Sequence, residues 1–316
     1  MQKRIEISIV TPCFNEEDNI LNCVTELRDA MKKFLPKVSY EHICIDNNST
    51  DSTFKKLKDI ASKDKNVKII RNSRNVGAFY NSWIGMQNCS GRYVVPTLVA
   101  DLQDPPSLIP QMYKELKQKN VLVVYAVMSQ RQDNFKFIRN IFYRVIKKLA
   151  YTDIPRNTTE FLIADEKVVK SVLETDDYYP YTRGLIALTN VTSSSIYYTR
   201  KARILGKSHE NFSILISHAF NAFISTSVLL PKFLTLTGFV TSLLSLGLAA
   251  YNLFGFLFFQ DQIVSRGVPT ILIAIFFLSG INFLFLGLLS EYVHATYRQV
   301  RRSPKSFITD KINFNG

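Results

Sequence analysis

From Met1 to about Arg203, short β-branched runs alternate with longer stretches whose apolar residues recur at helical spacing. Ile5–Thr11 has the length and composition of a strand, and Glu16–Phe34 those of an amphipathic helix. Further strands are predicted at His42–Asp46, Val67–Arg71, Tyr93–Val99 and Val121–Val127. Helices are predicted at Ser52–Ala61, after the third strand as far as Met86, and at Pro106–Lys117. The run Asn47-Asn48-Ser49-Thr50-Asp51 supplies cap-forming side chains just ahead of the second helix. A repeated β-α-β order builds a mostly parallel sheet with helices on both faces. Ligands of such sheets sit beyond the carboxyl ends of the strands, where Asn15, Glu16, Asp46, Asn47, Asp101 and Gln103 fall.

The last third follows a different pattern. Phe233–Gln260 and Gly267–Ser290 contain no Asp, Glu, Lys or Arg, and each exceeds the roughly 20 residues that cross a bilayer core. The polar segment Asp261–Arg266 separates them, which predicts a two-helix transmembrane hairpin. Arg200, Lys201, Arg203 and Lys207 precede the pair, and Arg298, Arg301, Arg302 and Lys305 follow it. The excess of positive charge on both flanks places both termini on the cytoplasmic side. Phe212–Leu230 is apolar but interrupted by Ser, Asn and His, and reads as interfacial helices or as a domain-packing helix. No signal-peptide pattern opens the chain, so its first part is expected in the cytoplasm. The expected partition is a cytosolic domain over 1–207, interfacial helices over 208–231, a transmembrane pair over 232–297 and a basic cytosolic tail over 298–316.

Charge narrows the partner. A net charge of +13 favours nucleic acid, a membrane surface or a phosphorylated substrate. Lys and Arg are spread along the chain and no standard nucleic-acid signature appears, which disfavours the first. Abundant Phe and Tyr exclude a disordered chain. Cys13, Cys23, Cys44 and Cys89 form no CxxC pair, and no histidine lies at zinc-finger spacing, so buried reduced thiols are expected.

Asp101-Leu102-Gln103-Asp104-Pro105-Pro106 directly follows a predicted strand. Carboxylate and amide oxygens at such a turn suit Mg²⁺ or Mn²⁺, which would neutralise a diphosphate leaving group. An N-capped loop is the other reading of the same residues. Here the chain resembles a known family. Ile9-Val10-Thr11-Pro12-Cys13-Phe14-Asn15-Glu16-Glu17, Asp46-Asn47-Asn48-Ser49-Thr50-Asp51 and Arg74-Asn75-Val76-Gly77 resemble, in order, three nucleotide-binding blocks of family-2 GT-A glycosyltransferases. Asp101–Pro106, Arg183-Gly184-Leu185 and Arg203-Ile204-Leu205-Gly206-Lys207-Ser208 resemble later blocks of the polyprenyl-phosphate branch. That branch includes dolichol-phosphate mannose synthases and bacterial undecaprenyl-phosphate glucosyltransferases.

The resemblance implies a GT-A nucleotide-binding domain, interface helices and a transmembrane pair in a bacterial inner or plasma membrane. It implies an inverting hexosyltransferase that moves a sugar from a UDP-linked donor to polyprenyl phosphate on the cytoplasmic face, for cell-surface glycan synthesis. Pro12, Phe14, Glu16, Asp46, Asn47 and Arg74 would hold the nucleotide, and Asp101 and Gln103 the metal and diphosphate. Glu160 joins Asp101 and Gln103 in the catalytic set. Arg131, Arg200, Arg203 and Lys207 suit the acceptor phosphate, because guanidinium groups match phosphate oxygens and juxtamembrane cations meet lipid headgroups. A homo-oligomer, a tetramer, is implied as well.

Several positions depart from the family pattern. Val99 stands where the metal block carries an acid, Leu162 where a later block carries arginine, and Met128 where many members carry a basic residue. His209-Glu210 follows Ser208 in place of the usual pair. Two readings stay open: an active transferase in which Gln103, Asp104 and Glu160 do the polar work, and a catalytically impaired membrane-bound scaffold. A processive polysaccharide synthase is disfavoured, since Trp83, the sole tryptophan, has no Gln-x-x-Arg-Trp context.

Overall fold

The computed structural model describes residues 4–129, 157–177, 180–200, 267–301 and 306–314, with scattered helical positions between 236 and 254. The chain divides into two units, Met1–Ala219 with Ser303–Gly316, and Phe220–Arg302.

The first unit is an α/β sandwich around an eight-stranded mixed sheet of order β7-β5-β6-β4-β1-β2-β3-β8. Its elements in chain order are β1 (Ile7–Cys13), α1 (Ile20–Phe34), β2 (Tyr40–Asp46), α2 (Thr53–Lys63), β3 (Val67–Asn72), α3 (Ala78–Gln87), β4 (Tyr93–Val95), α4 (Leu108–Lys119), β5 (Val123–Met128), β6 (Thr158–Asp165), α5 (Glu166–Leu173), α6 (Thr182–Leu188), β7 (Ser193–Tyr198) and β8 (Ile308–Ile312). Strands β4, β1, β2 and β3 run parallel, β5 and β7 run parallel, and β6 and β8 are antiparallel to their neighbours.

Period-2 alternation explains the layers. Ile43 and Ile45 of β2 join Val10, Ile70 and Ile84 under α3, whereas Cys44 joins Cys13, Ile20 and Leu57 under α1 and α2. Trp83 and Met86 of α3 pack with Val168 and Val172 of α5 on one face, and Leu27 and Met112 of α1 and α4 pack on the other. Helix α3 approaches the sheet closely at Gly85, where a Cβ would stand 2.4 Å from Val10 Cγ1. Asp165 starts α5 by accepting the Lys167 amide at 2.9 Å. The four cysteines are free thiols, three of them buried, as the sequence implies.

Two findings differ from the sequence reading. Strand β4 ends at Val95 rather than Val99, because Pro96 has no N–H to continue the ladder. The segment expected as a basic tail contains β8, which pairs antiparallel with β3. Among the described residues one helix is long and apolar enough to cross a membrane, and it lies in the second of the two expected spans. That helix, α7 (Gly267–Arg301), continues well past the uncharged run ending at Ser290. Phe277, Phe283, Leu286, Leu289 and Val293 are exposed along it, the pattern of a helix whose surroundings are not the core of its own chain. Phe212–Leu230 and most of Phe233–Gln260 lie outside the described residues.

One buried charge ties three strands together. Glu41 of β2 is fully buried and accepts from Ser8 Oγ, from Ser90 N at 2.7 Å and from Ser90 Oγ at 2.9 Å. Lys68 of β3 pairs with its other oxygen at 2.5 Å. Burial pushes the Glu41 pKa up, but Lys68 and the hydroxyl and amide donors outweigh it and hold the carboxyl below its ordinary value. A depressed carboxylate contributes stability above its unfolded pKa and loses it as pH falls through the folded value. Lys68→Met is therefore expected to destabilise the first unit by about 3 kcal/mol at neutral pH. The difference in thermal midpoint from wild type should narrow as pH is lowered towards 4. A difference that stays constant over that range would remove the ion pair as its cause.

Candidate active site

The strand order gathers the candidate residues at one edge of the sheet. Strand β1 pairs in parallel with β2 on one side and β4 on the other, and the β1–β2 connection (α1) and the β3–β4 connection (α3) cover opposite faces of the sheet, which opens a crevice at the carboxyl end of β1. Cys13, Asp46 and Asn72 end β1, β2 and β3 there. Leu98 N donates to Val10 O at 2.8 Å, which carries the chain beyond β4 alongside β1 and delivers Asp101 to the same edge. Because β6 runs antiparallel to β4 and β5, its amino end brings Thr158 and Glu160 to that edge as well. Parallel β7 ends there with Tyr198, followed by Arg200.

The first two loops lock each other. Asn15, in the left-handed region at φ 54°, donates its amide to Ser49 Oγ at 3.0 Å and accepts from Thr50 N at 2.9 Å. Glu17 N donates to Asp51 at 3.2 Å, and Ser52 N donates back to Glu17 at 3.1 Å. Glu16 N donates to Thr53 Oγ1 at 2.9 Å, and the Glu16 carboxylate accepts from Asn19 at 2.6 Å. Pro12 and Phe14 are part-buried beside this interlock.

Asp46 and Asn47 are buried and engaged by the protein. Asp46 pairs with Arg71 Nε at 3.1 Å and accepts from Ser49 N at 3.3 Å. Burial raises its pKa, against the opposing pull of Ser49 and Arg71. Asn47 donates to Asn75 Oδ1 at 2.8 Å and accepts from Val76 N at 3.0 Å. Asn72 donates to Asn81 Oδ1 at 2.8 Å and to Asn47 Oδ1 at 3.4 Å. Asn81 in turn donates to Ile45 O at 3.0 Å. These carboxamides shape the Ser73–Gly77 loop, on which Arg74 is exposed. Sequence reasoning found Asn47, and Asn75 within the Arg74–Gly77 block, but missed Arg71, Asn72 and Asn81; the signal for the two asparagines is a concentration of that residue around the end of β3.

In the Asp101–Asp104 segment, anchors alternate with half-exposed oxygens. Leu102 is buried in the core and held at φ 59°, a left-handed conformation unusual for leucine. Asp104 is 2% exposed, accepts from the Tyr198 hydroxyl and pairs with Arg200 Nε at 3.2 Å. Burial raises the Asp104 pKa, and Arg200 and Tyr198 oppose that rise. Asp101 and Gln103 are half-buried, with Gln103 N donating to Asp101 Oδ1 at 3.2 Å. Asp104, which the active reading of the sequence grouped with Gln103 and Glu160 for the polar work, is thus buried as an anchor against Tyr198 and Arg200.

Glu160 accepts from Arg183 N at 3.0 Å, and the Arg183 guanidinium donates to Thr158 O and the Tyr181 hydroxyl. Burial raises the Glu160 pKa, with Arg183 opposing. Two of the departures from the family pattern, Leu162 and Met128, are packed in apolar surroundings, and His209-Glu210 lies outside the described residues. Leu162 is fully buried in an apolar cluster with Trp83, Val94 and Tyr125, and Met128 is buried in the opposite cluster. Arg131, Arg203 and Lys207 lie outside the described residues. A groove of about 490 Å³ between α1 and α2, lined by Leu21, Asn22, Lys56 and Ile60 among others, includes none of the candidate residues at the sheet edge.

Anchor and ligand roles separate experimentally. Asp104→Ala leaves the Tyr198 hydroxyl and Arg200 without their buried partner and is expected to cost about 2 kcal/mol. Asp101→Ala is expected to change stability by less than about 0.5 kcal/mol. Thermal unfolding of the purified protein measures both, and equal losses would contradict the assignment.

Residues 8–181 match the model of glycosyl transferase family 2. An uncharacterized glycosyltransferase of Synechocystis sp. is 32% identical over 312 residues, covering 97% of this chain and 95% of its own. An SfII prophage-derived bactoprenol glucosyl transferase of Shigella flexneri is 27% identical over 307 residues, covering 96% and 97%. Among solved structures, mannosyl-3-phosphoglycerate synthase from Rubrobacter xylanophilus aligns at TM-score 0.49 and 15% identity, covering 74% of this chain and 75% of its own. With a family match over more than half its length and relatives that align nearly end to end, the chain belongs to glycosyl transferase family 2.

Proposed function

We propose that the protein transfers a hexose, with inversion, from a UDP-linked donor to polyprenyl phosphate at the cytoplasmic face of a bacterial membrane. The observation that carries this reading is the Asp101–Asp104 segment: two half-exposed oxygen donors held between two buried anchors, at the edge where the interlocked loops end.

A divalent cation fits these donors. Among the described residues no group of three or more His, Cys, Asp or Glu is placed to hold a metal alone. One carboxylate and one carboxamide oxygen, Asp101 and Gln103, suit Mg²⁺ or Mn²⁺ whose remaining ligands are diphosphate oxygens and water. When bound there, the ion neutralises charge on the departing nucleoside diphosphate. The chain's own work is positional. The interlocked loops and Arg74 hold the nucleoside, and the Asp104 anchor keeps Asp101 and Gln103 at a fixed depth. Asp104 also keeps Arg200, a cation for the acceptor phosphate, next to the same loop. The acceptor needs no general base, since a phosphate monoester is already anionic at neutral pH, with a second pKa near 6. Alignment and charge stabilisation then supply the rate. Glu160, held by Arg183, serves here as a positioning group for α6.

Membrane integration by a helix pair is part of the proposal. Residues before and after Phe220–Arg302 fold into one unit, and β8 pairs with β3. A single crossing by α7 would put them on opposite sides of the bilayer. The same folding therefore supports a second crossing between Phe220 and α7, with both flanks in the cytoplasm. The names of the bactoprenol glucosyl transferase relatives support the acceptor class. The homo-oligomer, a tetramer, stays in the proposal on the resemblance alone.

The test is incubation of the full-length protein with polyprenyl phosphate and a panel of nucleotide-sugars, with Mg²⁺ or Mn²⁺ or with a chelator. Mass spectrometry should detect one glycosylated polyprenyl phosphate, lost with the chelator. Asp101→Ala should lower turnover by about a hundred-fold or more while the protein still reaches the membrane. No product with any donor would favour the scaffold reading, to which the loss of an acid at Val99 points.

A further inference from the structure

The tail segment has more contacts than an edge cover needs. An exposed edge strand can be blunted by a short partner strand alone. Here β8 touches the nucleotide-binding half at two separate places. At its amino end, Ser73 N donates to Phe307 O at 2.8 Å, and Phe307 N donates to Ser73 Oγ at 3.2 Å. Between Arg71 and Asn72 the register shifts, so that Arg71 faces Asp310 and Asn72 faces Ile308. Thr309 is the extra residue of this bulge, and its hydroxyl donates to Arg71 O at 3.3 Å. Arg71 is the cation that pairs with Asp46, and its guanidinium lies 4.2 Å from the Phe54 ring centroid. Asn72 is the first amide of the chain that reaches Asn47 and the Ser73–Gly77 loop. Strand β8 therefore contacts residues behind both nucleotide-binding loops.

The carboxyl end is fastened independently. Asn313, at φ 63°, donates to Ala61 O and Val67 O at 2.8 Å each and to Asp64 O at 3.5 Å. Lys65 donates to its Oδ1 at 3.2 Å. Phe314 packs on the Val10–Ile45–Ile70 cluster, with the ammonium groups of Lys68 and Lys311 at 5.1 and 5.6 Å from its ring centre. Lys311 also donates to Asn88 Oδ1 at 2.7 Å. Four strand residues, 309–312, lie between Ile308 and Asn313, a span of roughly 17 Å.

We propose that β8 is a positioning element of the nucleotide pocket. Latched at its far end by Asn313 and Phe314, it holds Arg71 and the Ser73–Gly77 loop in the geometry that donor binding requires. This rests on the nucleotide reading above and adds a dependence of donor affinity on a segment that follows the apolar unit in the chain. Linkage makes the dependence reciprocal: nucleotide binding must also hold the tail.

Asn313→Asp tests it in the full-length protein. The substitution keeps size and chain length but turns the donor of three bonds into an acceptor facing three carbonyls. Phe314→Ala removes the ring by a different route. Hydrogen exchange should accelerate over 306–314 in both variants and then over 73–77. Calorimetric affinity for UDP with Mn²⁺ should fall about five-fold or more. In wild type, UDP should slow exchange over 308–312. The proposal is overturned if the tail exchanges rapidly while UDP affinity and loop exchange match wild type, because β8 would then only cover an edge. It is equally overturned if the tail stays protected in both variants, because Asn313 and Phe314 would not be the latch. If wild type binds no UDP, the nucleotide reading fails by itself. Loop exchange over 73–77 then still decides whether β8 positions the loop.

Discussion

Parallel pairing of β1 with both β2 and β4 is the constraint on which the site depends. It puts the β1–β2 and β3–β4 connections on opposite faces of the sheet and leaves a crevice at the carboxyl edge. Each loop emerging there is too polar to be stabilised by burial of its own side chains, so each is held by another loop. The first two exchange backbone and side-chain hydrogen bonds around Asn15, Glu17, Ser49 and Asp51. The third is held through Asn47 and Asn72, and the fourth through Asp104 and Tyr198. No loop is shaped by local sequence alone, and the site exists only once the sheet has formed.

This explains which residues are buried and which are not. A flexible diphosphate is bound well only if the oxygens that meet it lose little freedom on binding. The Asp101–Asp104 segment meets that need by fixing every second residue. Leu102 accepts a left-handed backbone, at a cost of order 1 kcal/mol or more, because its side chain is buried in the core. Asp104 tolerates burial because a guanidinium and a phenol meet it. Asp101 and Gln103 are left at intermediate depth between these anchors. The same logic applies to Asp46, whose carboxylate is spent on Arg71 and Ser49 and so shapes the pocket from behind.

Much of the sheet was legible because its central strands are long β-branched runs bounded by polar loops. The predicted β1, β2, β3 and β5 lie within about two residues of those observed, as do the helices between them except α1, which starts at Ile20 rather than Glu16. The outer strands were not legible. Ser193–Tyr198 is half serine, and Ile308–Ile312 is five residues isolated behind an apolar segment. Neither carries a periodic signal long enough to stand out; both are strands because a neighbour offers unpaired backbone groups. The site was legible by residue type only. Acids and amides at strand ends pointed to Asp46, Asn47, Asp101 and Gln103. Their partners Arg71, Asn81, Tyr198 and Arg200 are distant in sequence, and only the fold pairs them.

The two departures that most threatened an active reading differ physically. Leu162 sits in an apolar cluster with Tyr125 and Trp83, surroundings that suit an uncharged side chain. Its loss of charge is matched by its surroundings and leaves no hole in the pocket. Val99 is different, because its place beside Asp101 removes a negative charge that nothing among the neighbouring residues restores. In the proposed site one carboxylate and one neutral amide remain, too little charge to hold a divalent ion firmly without further anions. A diphosphate would then have to supply further ligands, and such a site would take up cation and nucleotide together. A pocket of that kind depends on loops set in advance of both ligands, which is what the interlocked loops, the Asp104 anchor and the strand behind Arg71 provide.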